Sequence, residues 1–235
     1  MTAQDGQISG RRTALRRRSR ETDVLLSLDL DPEKPGAEID SGIGFLDHML
    51  TSLATHAGWR LSLLCRGDLV VDDHHSAEDC ALCLGEAFSR ALARGSAPGG
   101  PGQPRRFGSA LAPLDEALAR AVVDISGRPF CRADLGLSEA RLGALSGENV
   151  AHFFWSFASS ARITLHLDII AGENAHHKAE AAFKALALAL KEACGIPVRT
   201  AADAPSTKGS VLLEELDEAE WQSLEGLRLR AGLDG

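Results

Sequence analysis

The chain has 235 residues, a hydrophobic content of 44% and a net charge of −8, enough for one large domain or two fused half-domains with a core. The acidic balance argues against nucleic acid as a partner, and no apolar run reaches the length of a membrane span. With a polar start that lacks a signal-peptide core and cysteines without framework spacing, we expect a soluble, cytoplasmic protein with no membrane partner.

The first half of the chain reads as strands and two helices. Its start is rich in arginine, and these residues indicate either a solvated terminal segment or an interface strand. A helix beginning at Gly44 should stop at Gly58, a residue suited to a helix end. The periodicity then predicts strands over 23–30, 59–65 and 68–71, a helix from about Ser76 to Ala93, and a Gly/Pro-rich loop over 95–104.

The second half repeats this order of elements. Its last helix is rich in alanine and should close at Gly195 and Pro197. The acidic stretch after it, 210–235, reads as a surface helix or a frayed tail. The patterns predict strands over 120–126, 130–135 and 163–170, and helices over 149–161 and 175–194.

Each half thus contains strands, a helix with a lone histidine, a strand, and a helix that opens on a pair of histidines. This repetition predicts an α+β fold of two similar βαβ-type half-domains that arose by internal duplication, with helices packed on mixed sheets. We place an N-terminal Arg-rich segment at 1–20, the first half-repeat at 21–104, the second at 105–209 and a C-terminal extension at 210–235.

Six of the eight histidines belong to the duplicated pattern. His74-His75 with Glu78, and His176-His177 with Glu180, are both His-His-x-x-Glu, and the lone His48 and His152 precede them at nearly equal distances. A single pair of adjacent histidines is more often an ordinary surface feature, but two identical units in register indicate metal ligation. The remaining His56 and His166 read as polar-face residues, and Cys80 and Cys83 as core packing.

Helix geometry suggests how these ligands divide. Successive residues of a helix point about 100° apart, whereas positions i, i+3 and i+4 share a face. Two adjacent imidazoles cannot easily coordinate the same ion, but they can coordinate two different ions. The glutamate lies near both imidazoles, at i+4 from the first and i+3 from the second. Two sites of three histidines and one glutamate would result, each with positions left open for catalysis. The ligand types leave the metal open among Zn, Fe, Co, Ni and Mn.

Eight segments of the chain resemble the imidazoleglycerol-phosphate dehydratase family, in the order of that family. The resemblance implies the ribosomal protein S5 domain 2-like fold, two manganese ions per active site, sites formed between subunits, and a 24-subunit octahedral shell. The segments are Glu21-Thr22, GIGFLDHML (42–50), GDLVVDDHHSAEDCALCLGEA (67–87), RFGSALAPLDEALA (106–119), DISGRP (124–129), HFFWSFA (152–158), ENAHHKAEAAFKALALAL (173–190) and PSTKG (205–209).

The same resemblance implies roles for single residues. One metal would take His74, His152, His176 and Glu180; the other would take His48, His75, Glu78 and His177. Glu21 is the first candidate for an acid/base group that also contacts substrate, with Asp115 and Lys184 as orienting or proton-relay residues; an ion pair between Lys184 and Glu180 is an equally good interpretation of that spacing. The phosphate would be held by Arg106, Arg128, Ser206 and Lys208.

The implied reaction is the metal-dependent loss of water from imidazole glycerol phosphate to imidazole acetol phosphate, in histidine biosynthesis. Metal coordination of both ring nitrogens would favour the imidazolate, whose electrons can expel the neighbouring hydroxyl before a protein base removes the adjacent proton. Two alternatives stay open. A dinuclear hydrolase would need a metal-bridging carboxylate, and a non-catalytic metal-binding shell would have no use for the phosphate residues.

Overall fold

The computed structural model describes residues 10–97 and 100–197 of the chain. The predicted phosphate residues Ser206 and Lys208 and the stretch 210–235 lie outside this part. The strands are Arg12–Arg18 (β1), Thr22–Asp29 (β2), Gly36–Asp40 (β3), Arg60–Gly67 (β4), Phe107–Leu114 (β5), Ala117–Asp124 (β6), Phe130–Asp134 (β7), Arg141–Leu142 (β8), Leu145–Ser146 (β9) and Thr164–Ala171 (β10). The helices are Gly44–Ala57 (α1), His74–Ser96 (α2), Gly147–Ala161 (α3) and Ala175–Cys194 (α4).

The two halves build equivalent sheets. The first has the strand order β1-β2-β4-β3 and the second β5-β6-β10-β7. In each sheet one pair is parallel, β3 with β4 and β7 with β10, and the connection between these strands contains a helix, α1 or α3. The remaining pairs are antiparallel. The prediction of an α+β fold with two similar βαβ-type halves on mixed sheets is therefore confirmed.

Each sheet presents one face to the helices. Val24, Leu26 and Leu28 alternate along β2 with at most 3% exposure, whereas Leu25 between them is 45% exposed. This period of two is that of a strand with one buried face. The helices of the two halves then pack on each other, α1 against α4 and α2 against α3. The core therefore joins both halves, and helix starts from different halves are brought together.

Two glycines allow the close approach of these layers. A Cβ on Gly85 of α2 would lie 2.5 Å from the carbonyl oxygen of Phe157 in α3. A Cβ on Gly108 of β5 would lie 2.1 Å from the carbonyl oxygen of Ala189 in α4. Both distances are far below van der Waals contact, so a side chain at either position would force the helix away.

Most elements lie where the sequence places them, and α1 and α4 have the predicted limits. The strand predicted at 68–71 is wrong: this segment is a turn closed by a hydrogen bond from Val71 N to Asp68 O (2.7 Å), and Val70 is 95% exposed. The loop predicted from residue 95 begins later, because α2 continues through Ser96. The pattern also missed β3 and β5.

Within the Arg-rich segment, Arg12–Arg18 form the edge strand β1, which pairs with β2. Arg16 binds Asp23 across the pair, and Arg17 reaches Asp79 on α2. Cross-strand pairs of opposite charge explain how a run of arginines is accommodated in a sheet. The limits of the two half-repeats stay a prediction. No helix among residues 10–97 and 100–197 has the length and hydropathy to cross a bilayer.

Candidate metal centre

The histidine pairs lie in the first turns of α2 and α4. Asn174, just before α4, accepts hydrogen bonds from His176 N (2.8 Å) and His177 N (3.2 Å), as a capping residue does. Before α2, Asp72 accepts from His74 N at 2.9 Å. Both pairs are thus fixed on regular helical backbone, where neighbouring side chains must diverge.

Within one chain, the ligand candidates form two clusters. In the first, His48 and His176 each place Nε2 3.3 Å from Oε2 of Glu180. In the second, His152 Nε2 lies 3.1 Å from Glu78 Oε1, and His74 Nε2 lies 3.9 Å from Glu78 Oε2. In each cluster one nitrogen or oxygen per residue lies within 4.8 Å of the others, close enough to hold a metal ion.

The clusters are related by the internal duplication. Each combines a lone histidine from one half with a His-x-x-x-Glu unit from the other, because α1 packs on α4 and α2 on α3. The stacked rings of His74 and His152 lie 4.7 Å apart, and Trp155 stacks on His152 at 5.9 Å. No motif in the sequence indicates that Trp155 lies at a cluster.

The second histidine of each pair points elsewhere. His75 Nδ1 lies 3.0 Å from Asp68 Oδ2, and its Nε2 lies 3.9 Å from Glu21 Oε1. The pairs therefore separate their imidazoles, as the helix geometry predicts. Among the described residues neither cluster contains its pair's second imidazole.

His177 has a similar environment in the other half. Its Nδ1 lies 2.7 Å from Glu116 Oε2, and its Nε2 lies 3.6 Å from Asp115 Oδ2. The sequence analysis did not identify Glu116. Its place next to Asp115, a predicted site residue, is the signal that could have indicated it.

The carboxylates are grouped differently from the sets that the resemblance implies. Glu78 lies with His74 and His152, whereas the implied set puts Glu180 there; Glu180 lies instead with His48 and His176. These are positions within one chain, and the implied sets concern ligands from several copies. The four-ligand sets stay a prediction.

Hydrogen bonds shift the pKa values of several groups here. The bond to Asp68 raises the pKa of His75, and the bond to Glu116 raises that of His177. His177 and the backbone N–H of Asn174 lower the pKa of Glu116 to about 2. Burial opposes ionisation of Glu180, but Lys184, with Nζ 2.9 Å from Oε1, lowers its pKa overall. The ion-pair interpretation of Lys184 is therefore confirmed.

The two predicted phosphate arginines lie close together. Arg106 donates from Nε (2.6 Å) and Nη2 (3.1 Å) to the carboxylate of Asp124, and these hydrogen bonds raise the pKa of Arg106. Arg128 Nη2 lies 3.9 Å from the same carboxylate, and its side chain is 69% exposed. The two guanidinium groups thus form one positive region held by a common carboxylate.

This positive region is far from the clusters of the same chain. Arg106 N donates to Ala193 O near the end of α4, whereas His176 lies at its start. A rise of about 1.5 Å per residue puts roughly 25 Å between these ends. His74 begins α2, and Gly95 O near the other end of α2 accepts from Gly102 N, in the segment that leads to Arg106. A small molecule cannot span this distance.

Comparisons with known proteins show to which family the chain belongs. Residues 41–190, which include both clusters, match the family model of imidazoleglycerol-phosphate dehydratase. The enzyme of that name from Neurospora crassa is 54% identical over 173 residues, covering 74% of this chain and 73% of its own. The one from Candida glabrata is 49% identical over 212 residues, covering 83% and 97%.

Two solved structures of imidazoleglycerol-phosphate dehydratase have a similar fold, each at 35% identity. The one from Staphylococcus aureus gives a TM-score of 0.68 and covers 78% of this chain and 98% of its own. The one from Pyrococcus furiosus gives 0.69, with 84% and 100% covered. The family model matches more than half of this chain, and the alignments with the two curated relatives include 73% and 97% of their lengths. The chain therefore belongs to the imidazoleglycerol-phosphate dehydratase family.

Proposed function

We propose that the chain catalyses the loss of water from imidazole glycerol phosphate to give imidazole acetol phosphate, in histidine biosynthesis in the cytoplasm, with two manganese ions per active site. One observation carries this proposal: a family member places two equivalent imidazole–carboxylate clusters where α2 and α4 begin. Two ions are what a five-membered ring with two nitrogens requires if both nitrogens are to be bound.

The donors fit a divalent cation of this kind. Both clusters offer only imidazole nitrogens and carboxylate oxygens, which bind manganese as well as other first-row divalent cations, and manganese is the metal that the family resemblance implies. A bound cation would supply Lewis-acid stabilisation of the deprotonated ring. In the sets that the family implies, one ion would be held by His74, His152, His176 and Glu180, and the other by His48, His75, Glu78 and His177. Each set combines members of both single-chain clusters, so each would be completed between copies.

Among the carboxylates beside His75 and His177, Glu21 is favoured over Glu116 as the proton acceptor. Glu116 accepts from Asn174 N (2.8 Å) and Glu173 N (3.2 Å) as well as pairing with His177. With a pKa of about 2 it is too weak a base for proton abstraction near neutral pH. Glu21 lies 3.9 Å from His75 and is 54% exposed, so a substrate can reach it.

The turn that carries Glu21 is held against the cluster helix. Thr22 Oγ1 and Arg17 Nη1 both donate to the buried carboxylate of Asp79, the residue after Glu78. These bonds anchor the β1–β2 turn on α2. Lys184 orients Glu180 through its ion pair, and the exposed Asp115 orients His177 from the β5–β6 turn.

The remaining requirement is a site for the phosphate. Arg106 and Arg128 offer two guanidinium groups at one position, and such forks match phosphate oxygens. Ser206 and Lys208 are assigned to the same role on their sequence match alone. Since these arginines lie roughly 25 Å from the clusters of their own chain, we propose that each active site combines residues of different copies, in a 24-subunit octahedral shell.

Turnover tests the function directly. Purified protein supplied with manganese and imidazole glycerol phosphate is expected to yield the ketone product, measured by its absorbance after enolisation in base. The absence of product with both sites loaded would contradict the proposal. Release of inorganic phosphate without formation of the ketone would favour the dinuclear hydrolase. Metal binding without any reaction would favour the non-catalytic metal-binding shell.

Metal removal tests the shared sites. If ligands of one ion come from different copies, association and metal binding are linked, so chelation is expected to reduce the particle mass several-fold. Light scattering before and after chelation, and again after addition of manganese, measures this. A particle whose mass is unchanged by complete removal of metal would contradict the proposal that ions join the copies.

A further inference from the structure

His74 makes a hydrogen bond on the side of its ring that faces away from Glu78. Its Nδ1 lies 2.9 Å from Oδ1 of Asn149, a residue of the first turn of α3 that is only 5% exposed. Asn149 lies one helical turn before His152. The amide therefore contacts one member of this cluster and is on the same helix as another.

The orientation of this amide is determined by its other partners. Asn149 Nδ2 donates to Asp73 Oδ2 at 3.0 Å and to Ser146 Oγ at 3.0 Å. Asp73 also accepts from Ser146 N and Ser146 Oγ, both at 2.7 Å. A carboxylate can only accept here, so the amide nitrogen must face Asp73 and the amide oxygen must face His74. Rotating the amide would place two oxygens in contact within a buried site.

An amide oxygen is only an acceptor, so His74 must donate to it from Nδ1. In the neutral ring the lone pair is then on Nε2, the nitrogen that lies towards Glu78. We propose that Asp73 and Asn149 are positioning residues that hold His74 in the Nδ1–H tautomer, with Nε2 ready to bind a metal ion. This deepens the proposed function, since it concerns the same cluster.

Asp73 bonds to residues at the start of α3 and does not cap its own helix, α2. It immediately precedes α2, yet its side chain makes no capping bond to that helix. The carboxylate instead accepts three hydrogen bonds from residues at the start of α3, across the boundary between the two halves. At 8% exposure it is one of the few buried charged groups in the described part of the chain.

The other cluster has a different environment. Phe45 lies one turn before His48, as Asn149 lies one turn before His152, and its ring meets His176 edge-on at 5.1 Å. Ala175 precedes His176 as Asp73 precedes His74, and its side chain cannot accept a hydrogen bond. The duplicated clusters are therefore unequal: an amide fixes His74, and an apolar ring edge packs on His176. Loss of Asn149 should affect one metal site and spare the other.

The tautomer can be measured without metal or activity. In ¹⁵N-histidine-labelled, metal-free protein at mildly alkaline pH, long-range ¹H–¹⁵N spectra distinguish the two tautomers of a neutral imidazole. The His74→Gln variant identifies the His74 signals. We expect a protonated Nδ1 in the unmodified protein and in Asp73→Asn, which keeps an acceptor for Asn149. We expect mixed tautomers in Asn149→Leu and Asp73→Leu.

Manganese calorimetry on the same proteins provides the second measurement. Asn149→Leu is expected to weaken one class of site by about 10–100-fold, the usual effect of losing a ligand's outer hydrogen bond, and to leave the other within about threefold. Asp73→Asn should retain both. An Nε2–H tautomer in the unmodified protein, or an equal loss at both sites with an unchanged tautomer, would overturn the proposal. Because the spectra need no substrate, failure of turnover would not imitate either result.

Discussion

Replacing His152 with alanine is expected to lower turnover at least about 1,000-fold, because Lewis-acid stabilisation contributes several kcal/mol and about 1.4 kcal/mol corresponds to a factor of ten. His152 contributes the lone imidazole of the second cluster and stacks on His74. Steady-state rates at saturating manganese, together with metal content by elemental analysis, measure the effect. The variant should retain manganese at the other cluster.

A matched control is available in the same half. His166 lies on β10 beside Phe130 and outside both clusters. His166→Ala should therefore keep both metal ions and a turnover within about twofold, as is usual for surface substitutions. Equal activity of the His152 and His166 variants would show that the cluster does not contribute to the reaction.

Replacing Arg128 with alanine is expected to lower kcat/KM by about 10- to 150-fold while both metal ions remain bound. A charged hydrogen bond to phosphate contributes about 1.5–3 kcal/mol. Loss of the Arg128 guanidinium leaves Arg106, which is already paired with Asp124, as the remaining arginine of this region. Removing phosphate binding should not disturb the clusters, which lie roughly 25 Å away in the same chain. Rates and metal content on one preparation separate the two effects.

Arg132→Ala is the matched control for this change. Arg132 lies on β7 near Asp134 and Asp168, is similarly exposed, and is not among the predicted phosphate residues. It should leave kcat/KM within about twofold. If the Arg128 variant also kept its full rate, the assignment of the phosphate region would be wrong. If it lost its metal instead, Arg128 would have a structural role.

The sequence predicts the parts of the fold that have strong local signals. The helix limits at Gly58 and Gly195 follow from residues that end helices, and the buried alternation of β2 follows from its apolar residues. The strand prediction at 68–71 was wrong because Leu69, Val70 and Val71 are typical strand residues. In the structure these residues are exposed, and a hydrogen bond closes the segment as a turn. Local preference was overridden by the need to connect β4 with α2.

The candidate site was predictable to the same extent. The division of His74 from His75 is a consequence of helix geometry and is visible in the sequence. The pairing of α1 with α4 and of α2 with α3 depends on contacts across the two halves, so the place of Glu78 beside His152 could not be read from spacing. Asn149 was missed for the same reason, since its partner Asp73 is distant in the sequence.

The proposal that each pair of adjacent histidines serves two cations is tested most directly by counting bound metal. Protein purified without metal, then saturated with manganese and freed of excess, should contain two ions per chain by elemental analysis. Anomalous scattering from crystals of that protein should place one ion at Glu78 and one at Glu180. One ion or fewer per chain, or ions located away from both carboxylates, would contradict the account.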